Sequence, residues 1–415
     1  MKQEYTITDL LIELLFILIV IKKTECSKME VDPPKELLKP LEIPKKILMG
    51  PGPSNCSQRV LRSLGNQVIG HLHPEMFKLM DDIKAGIQYA FQTKNKLTLA
   101  LSTAAHGGME ACLGNLIEPG ETVLIAKCGI WGERAANMAN RIGARIEFLT
   151  TEYGIGFDLD ILESFLKRFK PAAVFVVQAE SSTGMKQPLE GVGNLVHRYN
   201  SLLIVDCVAS LGAEQLFVDA WKIDAVYGCS QKVLGAPAGI TPISFSPLAV
   251  EKIFNRRTNV STYYWDMKIL GDYWNCFGNP RIYHHTISAT LIYGLREALA
   301  ELTEEGLHAR WSRHASVAIK LREELLKRGF RLYVKNPIYQ LSTIVSIEIP
   351  NGVDVKMLSV RAMERYGVEI SGGLGPTVGK ILRIGLMGNN STYRHVDLLL
   401  DALDDALKFS TKSKM

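Results

Sequence analysis

Asp206 closes the apolar run Leu202-Leu203-Ile204-Val205, and Lys232 ends Ser230-Gln231-Lys232 just beyond a second run, Ala225–Tyr227. Short apolar runs rich in β-branched residues read as buried strands. A charge at the end of such a strand is costly unless it has a partner. For Asp206 alone, a structural ion pair accounts for the residue as well as any chemistry does. The pairing with Lys232 is more specific. A lysine amine can form a Schiff base with an aldehyde cofactor, and a buried carboxylate can keep a pyridine nitrogen protonated so that the ring withdraws electrons. Matched roles at two strand ends predict a pyridoxal-phosphate site with Lys232 as its catalytic residue.

Other segments supply what such a site needs. Thr103-Ala104-Ala105-His106-Gly107-Gly108 lies between the apolar run Leu97–Leu101 and a helical pattern starting near Met109. Small residues there let backbone N–H groups at a helix start approach a phosphate, although a ligand-free tight turn fits the same letters. Trp131 follows the run Thr122–Ala126 and either stacks on the cofactor ring or packs half-buried. Ser181, in Ser181-Ser182-Thr183-Gly184 after the run Ala172–Val177, either offers its hydroxyl to the ring oxygen or belongs to an ordinary turn. Arg383, inside the apolar pattern Leu382-Arg383-Ile384, either grips a substrate carboxylate through its planar fork or pairs with an acid nearby. Gly372 to Lys380 is glycine-rich but not a nucleotide-binding P-loop: Ile381 replaces Ser or Thr after the lysine and the glycine spacing is wrong.

Placing these groups together requires strands that alternate with helices. The four runs Leu97–Leu101, Thr122–Ala126, Ala172–Val177 and Leu202–Val205 are separated by helical patterns at Met109–Ile117, Glu133–Ile142, Leu159–Lys170 (capped by Asp158) and Leu189–Tyr199. That rhythm predicts an α/β fold with a mostly parallel central sheet between helices, whose ligands sit beyond the carboxyl ends of the strands. After about Ala289 a long helical pattern, Leu291–Lys327, breaks near Gly306. Strands at Leu332–Val334, Thr343–Glu348, Val368–Ile370 and Ile381–Ile384 and helices at Asp354–Tyr366 and Val396–Lys408 follow. We read residues 46–305 as a large cofactor domain and 306–415 as a smaller C-terminal α+β domain. Residues 29–45, stiffened by Pro33, Pro34, Pro40 and Pro44, form an extended arm expected to pack on another subunit.

With 415 residues, 47% of them hydrophobic and 22% charged, the chain can bury a large core, which excludes a disordered or fibrous protein. Its 48 basic and 43 acidic residues are mixed along the sequence, as on a solvated surface, and argue against a nucleic-acid partner. Seven scattered cysteines without a C-x-x-C, and histidines without ligand spacing, signal neither a disulfide framework nor a metal, so no metal is expected. Residues 1–28 are a targeting segment or a misassigned start: Leu10 to Ile21 is a signal-like apolar stretch diluted by Glu13 and too short to span a membrane. Ser413-Lys414-Met415 reads either as a peroxisomal address for an import receptor or as a frayed tail, which leaves peroxisome, cytoplasm and mitochondrion open.

The segments Gly50-Pro51-Gly52-Pro53-Ser54-Asn55, Glu180-Ser181-Ser182-Thr183-Gly184, Val205-Asp206-Cys207-Val208-Ala209-Ser210, Ser230-Gln231-Lys232 and Arg281-Ile282-Tyr283-His284-His285-Thr286 resemble, in order, those of the alanine–glyoxylate aminotransferase family. These are fold-type I, class V pyridoxal-phosphate enzymes, and the likeness runs from about Met29 to the end. It implies that Lys232 bonds the cofactor, Asp206 holds the pyridine nitrogen, Trp131 stacks, and Ser181 and Val208 line the ring. Ala104, Ala105, His106 and Gln231 would surround the phosphate. Tyr283 and Thr286 would complete the phosphate cup of the neighbouring subunit in a homodimer. Arg383, Ser54, Asn55 and Ser181 would bind substrate. The implied reaction passes the amino group of L-alanine, or of L-serine, to glyoxylate by a ping-pong route. The alternative within the family is 3-hydroxykynurenine as donor; outside it stand a cysteine desulfurase-like lyase and an inactive scaffold. One departure from the family pattern is Ala104, where a serine hydroxyl usually meets the phosphate, and it predicts weaker cofactor retention.

Overall fold

The computed structural model describes residues 6–27 and 31–412. Contacts divide the chain into two units, Met1–Lys45 and Lys46–Met415. The first holds a helix, Ile7–Ser27, and a single 3-10 turn, Lys35–Leu38. Among the described residues no helix is long and apolar enough to cross a membrane.

The second unit is built on a seven-stranded sheet. Its strands are β1 (Leu97–Leu101), β2 (Thr122–Lys127), β3 (Arg145–Thr150), β4 (Ala173–Val177), β7 (Leu202–Asp206), β8 (Ala225–Tyr227) and β9 (Thr241–Phe245), in the order β1-β9-β8-β7-β4-β2-β3. A hairpin of β5 (Ala179–Glu180) and β6 (Met185–Lys186) follows β4. Only β9 runs against its neighbours. Strands β1, β4 and β8 are buried along their whole length, as continuous apolar runs require in a sheet covered on both faces. Strand β3 was not legible as a run because it is an edge strand: Arg145, Phe148 and Thr150 are exposed while Leu149 is buried. Strand β9 is disguised by Pro242, a residue that rarely sits inside a sheet.

A smaller sheet has the order β10-β12-β11, from β10 (Ile344–Glu348), β11 (Ser371–Gly372) and β12 (Ile381–Gly385). Strands expected at Leu332–Val334 and Val368–Ile370 are absent. Each contributes a single bridge, Leu332 to Ile347 and Val368 to Ile47, because the chain touches its partner for one residue only. The long helical pattern is two helices, Ala289–Glu305 and Leu307–Lys327, hinged at Gly306, whose φ of 79° is a left-handed value that favours glycine. The second helix joins the two cores. Leu307 and Trp311 pack in the core of the large sheet, while Val317, Leu321 and Leu325 pack with Met49, Ile384 and Leu403 around the small one.

Candidate active site

The carboxyl ends of β1, β2, β4, β7 and β8 open on a cavity of about 290 Å³ lined by Ala104, Ala105, His106, Trp131, Ser181, Asp206, Val208, Gln231 and Lys232, together with Gly52, Met109 and Tyr227. Nine residues singled out in the sequence are thus brought to one wall. The helix expected from Met109 begins at Ala105, so the small-residue loop is mostly a helical first turn. Its N-cap, Ala104, offers no side-chain acceptor, and Gly107 N–H turns back to Ala104 O at 2.9 Å. The other first-turn amides point out of the helix, where an anion is favoured. Bare backbone is required here: a Cβ on Gly107 would meet the Thr103 and Trp265 side chains.

Asp206 is buried at the end of β7. Its Oδ2 accepts from the Tyr227 hydroxyl at 2.5 Å and its Oδ1 from Val208 N–H at 2.8 Å. Burial pushes its pKa up to about 6, against the lowering effect of those bonds and of Lys232. A carboxylate kept so dry is complementary to a protonated ring nitrogen. Tyr227 was missed as a site residue although it stands opposite Asp206 in the β7/β8 register. Lys232 donates to Pro51 O, and desolvation lowers its pKa, which favours a neutral, nucleophilic amine. Gln231 Oε1 is buried without a hydrogen-bond partner, an orphan acceptor at the cavity wall.

Trp131 is half-buried and donates from Nε1 to Ser181 Oγ at 2.8 Å, which leaves the serine hydrogen free to donate into the cavity. His106 meets the Trp131 ring edge-on at 5.7 Å. Beneath them lies Glu180, which the sequence reading passed over. It accepts from Trp131 N–H at 3.2 Å and from Ser182 N–H and Oγ–H at 3.0 and 2.6 Å. Burial raises its pKa to about 7, and Asp206 adds to the effect.

Arg383, in β12, donates from Nε to Gly372 O at 2.8 Å and from one Nη to Ser181 O at 2.9 Å. It forms no salt bridge among the described residues, so the alternative of an acid partner within the small sheet is not what the structure shows. Both bonds hold the guanidinium in place and leave its remaining edge for an anion. Ser54 and Asn55 do not line the cavity. Ser54 Oγ donates to Lys232 O at 2.5 Å, and the Asn55 amide is committed to Leu48 N, Asn390 Nδ2 and Lys46 O. Tyr283 and Thr286 also lie away from it, 3.3 Å apart through their hydroxyls, with Tyr283 half exposed.

The Aminotransferase class-V family matches residues 50–399. The chain is a class V aminotransferase. It is 48% identical to the alanine–glyoxylate aminotransferase of Felis catus, over 93% of this chain and 93% of that one. The Drosophila melanogaster enzyme of the same name is 47% identical, over 92% of this chain and 97% of that one. The crystal structure of alanine–glyoxylate aminotransferase from Nostoc sp. superposes with a TM-score of 0.88 at 43% identity, covering 91% of this chain and 100% of that one. The aminotransferase therefore uses pyridoxal phosphate, and the cavity fits it. The dry carboxylate suits the ring nitrogen, the first-turn amides suit the anionic end, and Lys232 faces the same space.

Proposed function

We propose that this aminotransferase moves the amino group of L-alanine, and of L-serine, to glyoxylate, leaving pyruvate and glycine in the alanine case. The observation that carries the reading is Arg383: a buried guanidinium, fixed by two backbone carbonyls and with no salt bridge among the described residues, that lies behind the cavity's lining and is bonded to Ser181, which lines the cavity with Lys232. Such a group binds a carboxylate through charge-assisted bonds and holds the adjoining Cα over the cavity. The activity named for the relatives above supports alanine and glyoxylate as the pair.

Pyridoxal phosphate supplies an aldehyde and an electron-withdrawing ring. The chain does the rest. Asp206 keeps the proton on the ring nitrogen, held in its own orientation by Tyr227 and Val208. Trp131 and Val208, which line the cavity, would wall the ring, and Ser181, set by Trp131, would donate toward it. Lys232 Nζ, whose pKa desolvation lowers, takes the proton from the substrate Cα as general base. A cysteine-dependent lyase is disfavoured by the thiols nearest this centre. Cys207 and Cys229 are buried, and burial pushes the Cys229 pKa up to about 12 and raises that of Cys207 well above the ordinary thiol value.

A single-turnover assay tests the reading. Alanine, serine or 3-hydroxykynurenine is offered to the purified holoenzyme, and the cofactor's visible absorbance is followed. Fast bleaching by alanine, restored by glyoxylate, is expected; preferential bleaching by 3-hydroxykynurenine would replace alanine as the donor.

We also infer a homodimer with shared sites. Tyr283 and Thr286 do not line their own cavity, and Val68, Leu72 and Ile282 are exposed beside, in sequence, the residues of the His71–Tyr283 ring contact. The 29–45 arm is read as part of that interface. Sedimentation should give twice the mass of the chain. The tail Ser413-Lys414-Met415, outside the described residues, we read as a peroxisomal address. A fluorescent fusion that stays cytosolic with the tail intact would refute it.

A further inference from the structure

Behind the cavity's lining, against the loop that opens at Gly50, lies an acid that neither the cofactor nor the proton transfer uses. Glu369 follows the single bridge between Val368 and Ile47, with its own N–H on Ile47 O at 2.9 Å. Its Oε2 accepts from Gly50 N–H at 3.3 Å and its Oε1 from Ser371 Oγ–H at 3.4 Å. Both partners lead directly to the chemistry. Gly50 opens the loop whose Pro51 O receives Lys232 and whose Gly52 has no room for a Cβ against the Lys232 side chain. Ser371 stands opposite Arg383 in the β11/β12 register. The carboxylate is packed flush on the loop: a Cβ on Gly50 would lie 2.6 Å from Oε1.

We propose that Glu369 is a specificity-determining residue that admits amino donors with uncharged side chains by repelling a second carboxylate. The argument is one of charge count. Among the described residues Glu369 forms no salt bridge, and its two hydrogen bonds come from neutral donors. The substrate α-carboxylate compensates Arg383. Once it is seated, the negative charge of Glu369 remains beside the loop that receives Lys232. Electrostatic influence of Glu369 on both Lys232 and Arg383 is consistent with this placement. An alanine or serine side chain meets no penalty there, whereas aspartate or glutamate brings like charge into a poorly hydrated site. At an effective dielectric of about 20, repulsion between two like unit charges is worth a tenfold or larger discrimination out to roughly 12 Å.

The proposal rests on the amino-transfer reading, and its test separates the two. Calorimetric titration of the holoenzyme with propionate and succinate compares a one-carboxylate with a two-carboxylate probe, neither of which can transfer an amine. In Glu369→Gln, which keeps one carbonyl acceptor for Gly50 N–H and can donate from its amide to Ser371 Oγ, succinate should tighten about tenfold relative to propionate. The rate of cofactor bleaching by glutamate relative to alanine should rise by a similar factor. An unchanged ratio in a variant that retains cofactor would overturn the filter. Should the variant fail to load, the wild type still decides. Monomethyl succinate, matched in length but neutral at its far end, should bind about tenfold tighter than succinate, and equal affinities would refute the proposal. If wild-type protein moves no amine from alanine to glyoxylate while these ratios hold, the donor assignment falls and the charge filter stands.

Discussion

Ala104 occupies a position with two separable duties. It is the N-cap of the helix Ala105–Leu116, with extended backbone and no side-chain bond to the first turn, and it lines the phosphate end of the cavity. A serine there could cap the helix, which typically stabilises by about 0.5–2 kcal/mol. It could also donate to the phosphate, where a bond to a charged group is worth about 1.5–3 kcal/mol. Ala104→Ser should therefore tighten cofactor binding by about tenfold or more and also raise the melting temperature of the apoprotein, because the hydroxyl hydrogen donates to the phosphate while the oxygen accepts from the first turn, and the apoprotein holds no phosphate to compete. A raised apoprotein melting temperature with an unchanged cofactor Kd would assign the serine to capping alone. The residues that chemistry demands were legible at this scale. Lys232, Asp206, Trp131 and Ser181 each follow an apolar run, and the structure brings all four to one cavity. Glu180 was not, since nothing in the letters Glu-Ser-Ser-Thr-Gly says that the acid turns inward beneath Trp131 while the serine after it faces the cavity.

Elements matter through where they force two segments to meet. Strand β12 carries Arg383 and ends at Gly385, whose N–H bonds Met49 O at 2.7 Å. A Cβ on Gly385 would collide with Gly50 O, so the strand that carries Arg383 and the loop that faces Lys232 are in backbone contact because that residue is glycine. Gly385→Ala must displace one of them. The expected cost is about 1–3 kcal/mol of stability, as for overpacking in a core. Displacement of the loop should also raise KM for alanine more than it lowers kcat, since carboxylate placement is disturbed before Lys232 is. A variant with lower stability and unchanged KM would show that the loop does not follow the strand. This coupling was out of reach of sequence reasoning for a physical reason. Apolar runs such as Leu97–Leu101 and Ala225–Tyr227 announce buried strands with correct ends, but the pairing of residues 47–50 with residues 368–385 is a long-range contact with no periodicity to betray it. Edge strand β3 and the proline-bearing β9 were lost for local reasons, one half-solvated and the other carrying a strand-breaking residue.

Across the whole molecule, buried titratable groups set how stability responds to acid. His314 is fully buried in the helix that bridges the two cores. Its Nε2 accepts from Gly388 N–H at 3.1 Å, so the proton sits on Nδ1 and is donated to Arg310 O at 2.8 Å. Burial, reinforced by the positive charge of Arg313, lowers its pKa to about 3, and burial with His284 and His71 lowers that of His285 to about 4. Each is depressed below the value of about 6.5 it regains on unfolding. The unfolded chain therefore binds more protons in this range, and the stability contributed by each neutral ring is present above pH 6.5 and lost as pH falls toward the folded value. Asp206 acts in the opposite direction. Its raised pKa of about 6 means that the apoprotein gains from its protonation on going down through that pH, so it offsets one histidine between about 6 and 4. With cofactor on Asp206 the offset should shrink, and the holoenzyme should lose stability more steeply than the apoprotein between pH 6 and 4. His314→Gln keeps one of the two bonds. It should cost about 1–3 kcal/mol at pH 7 and reduce the slope of stability with pH by about 1.4 kcal/mol per unit below 6.5, the contribution of a single proton. Urea midpoints measured from pH 7.5 to 4.5 read both quantities, and an unchanged slope would mean that His314 already carries its second proton in the folded chain.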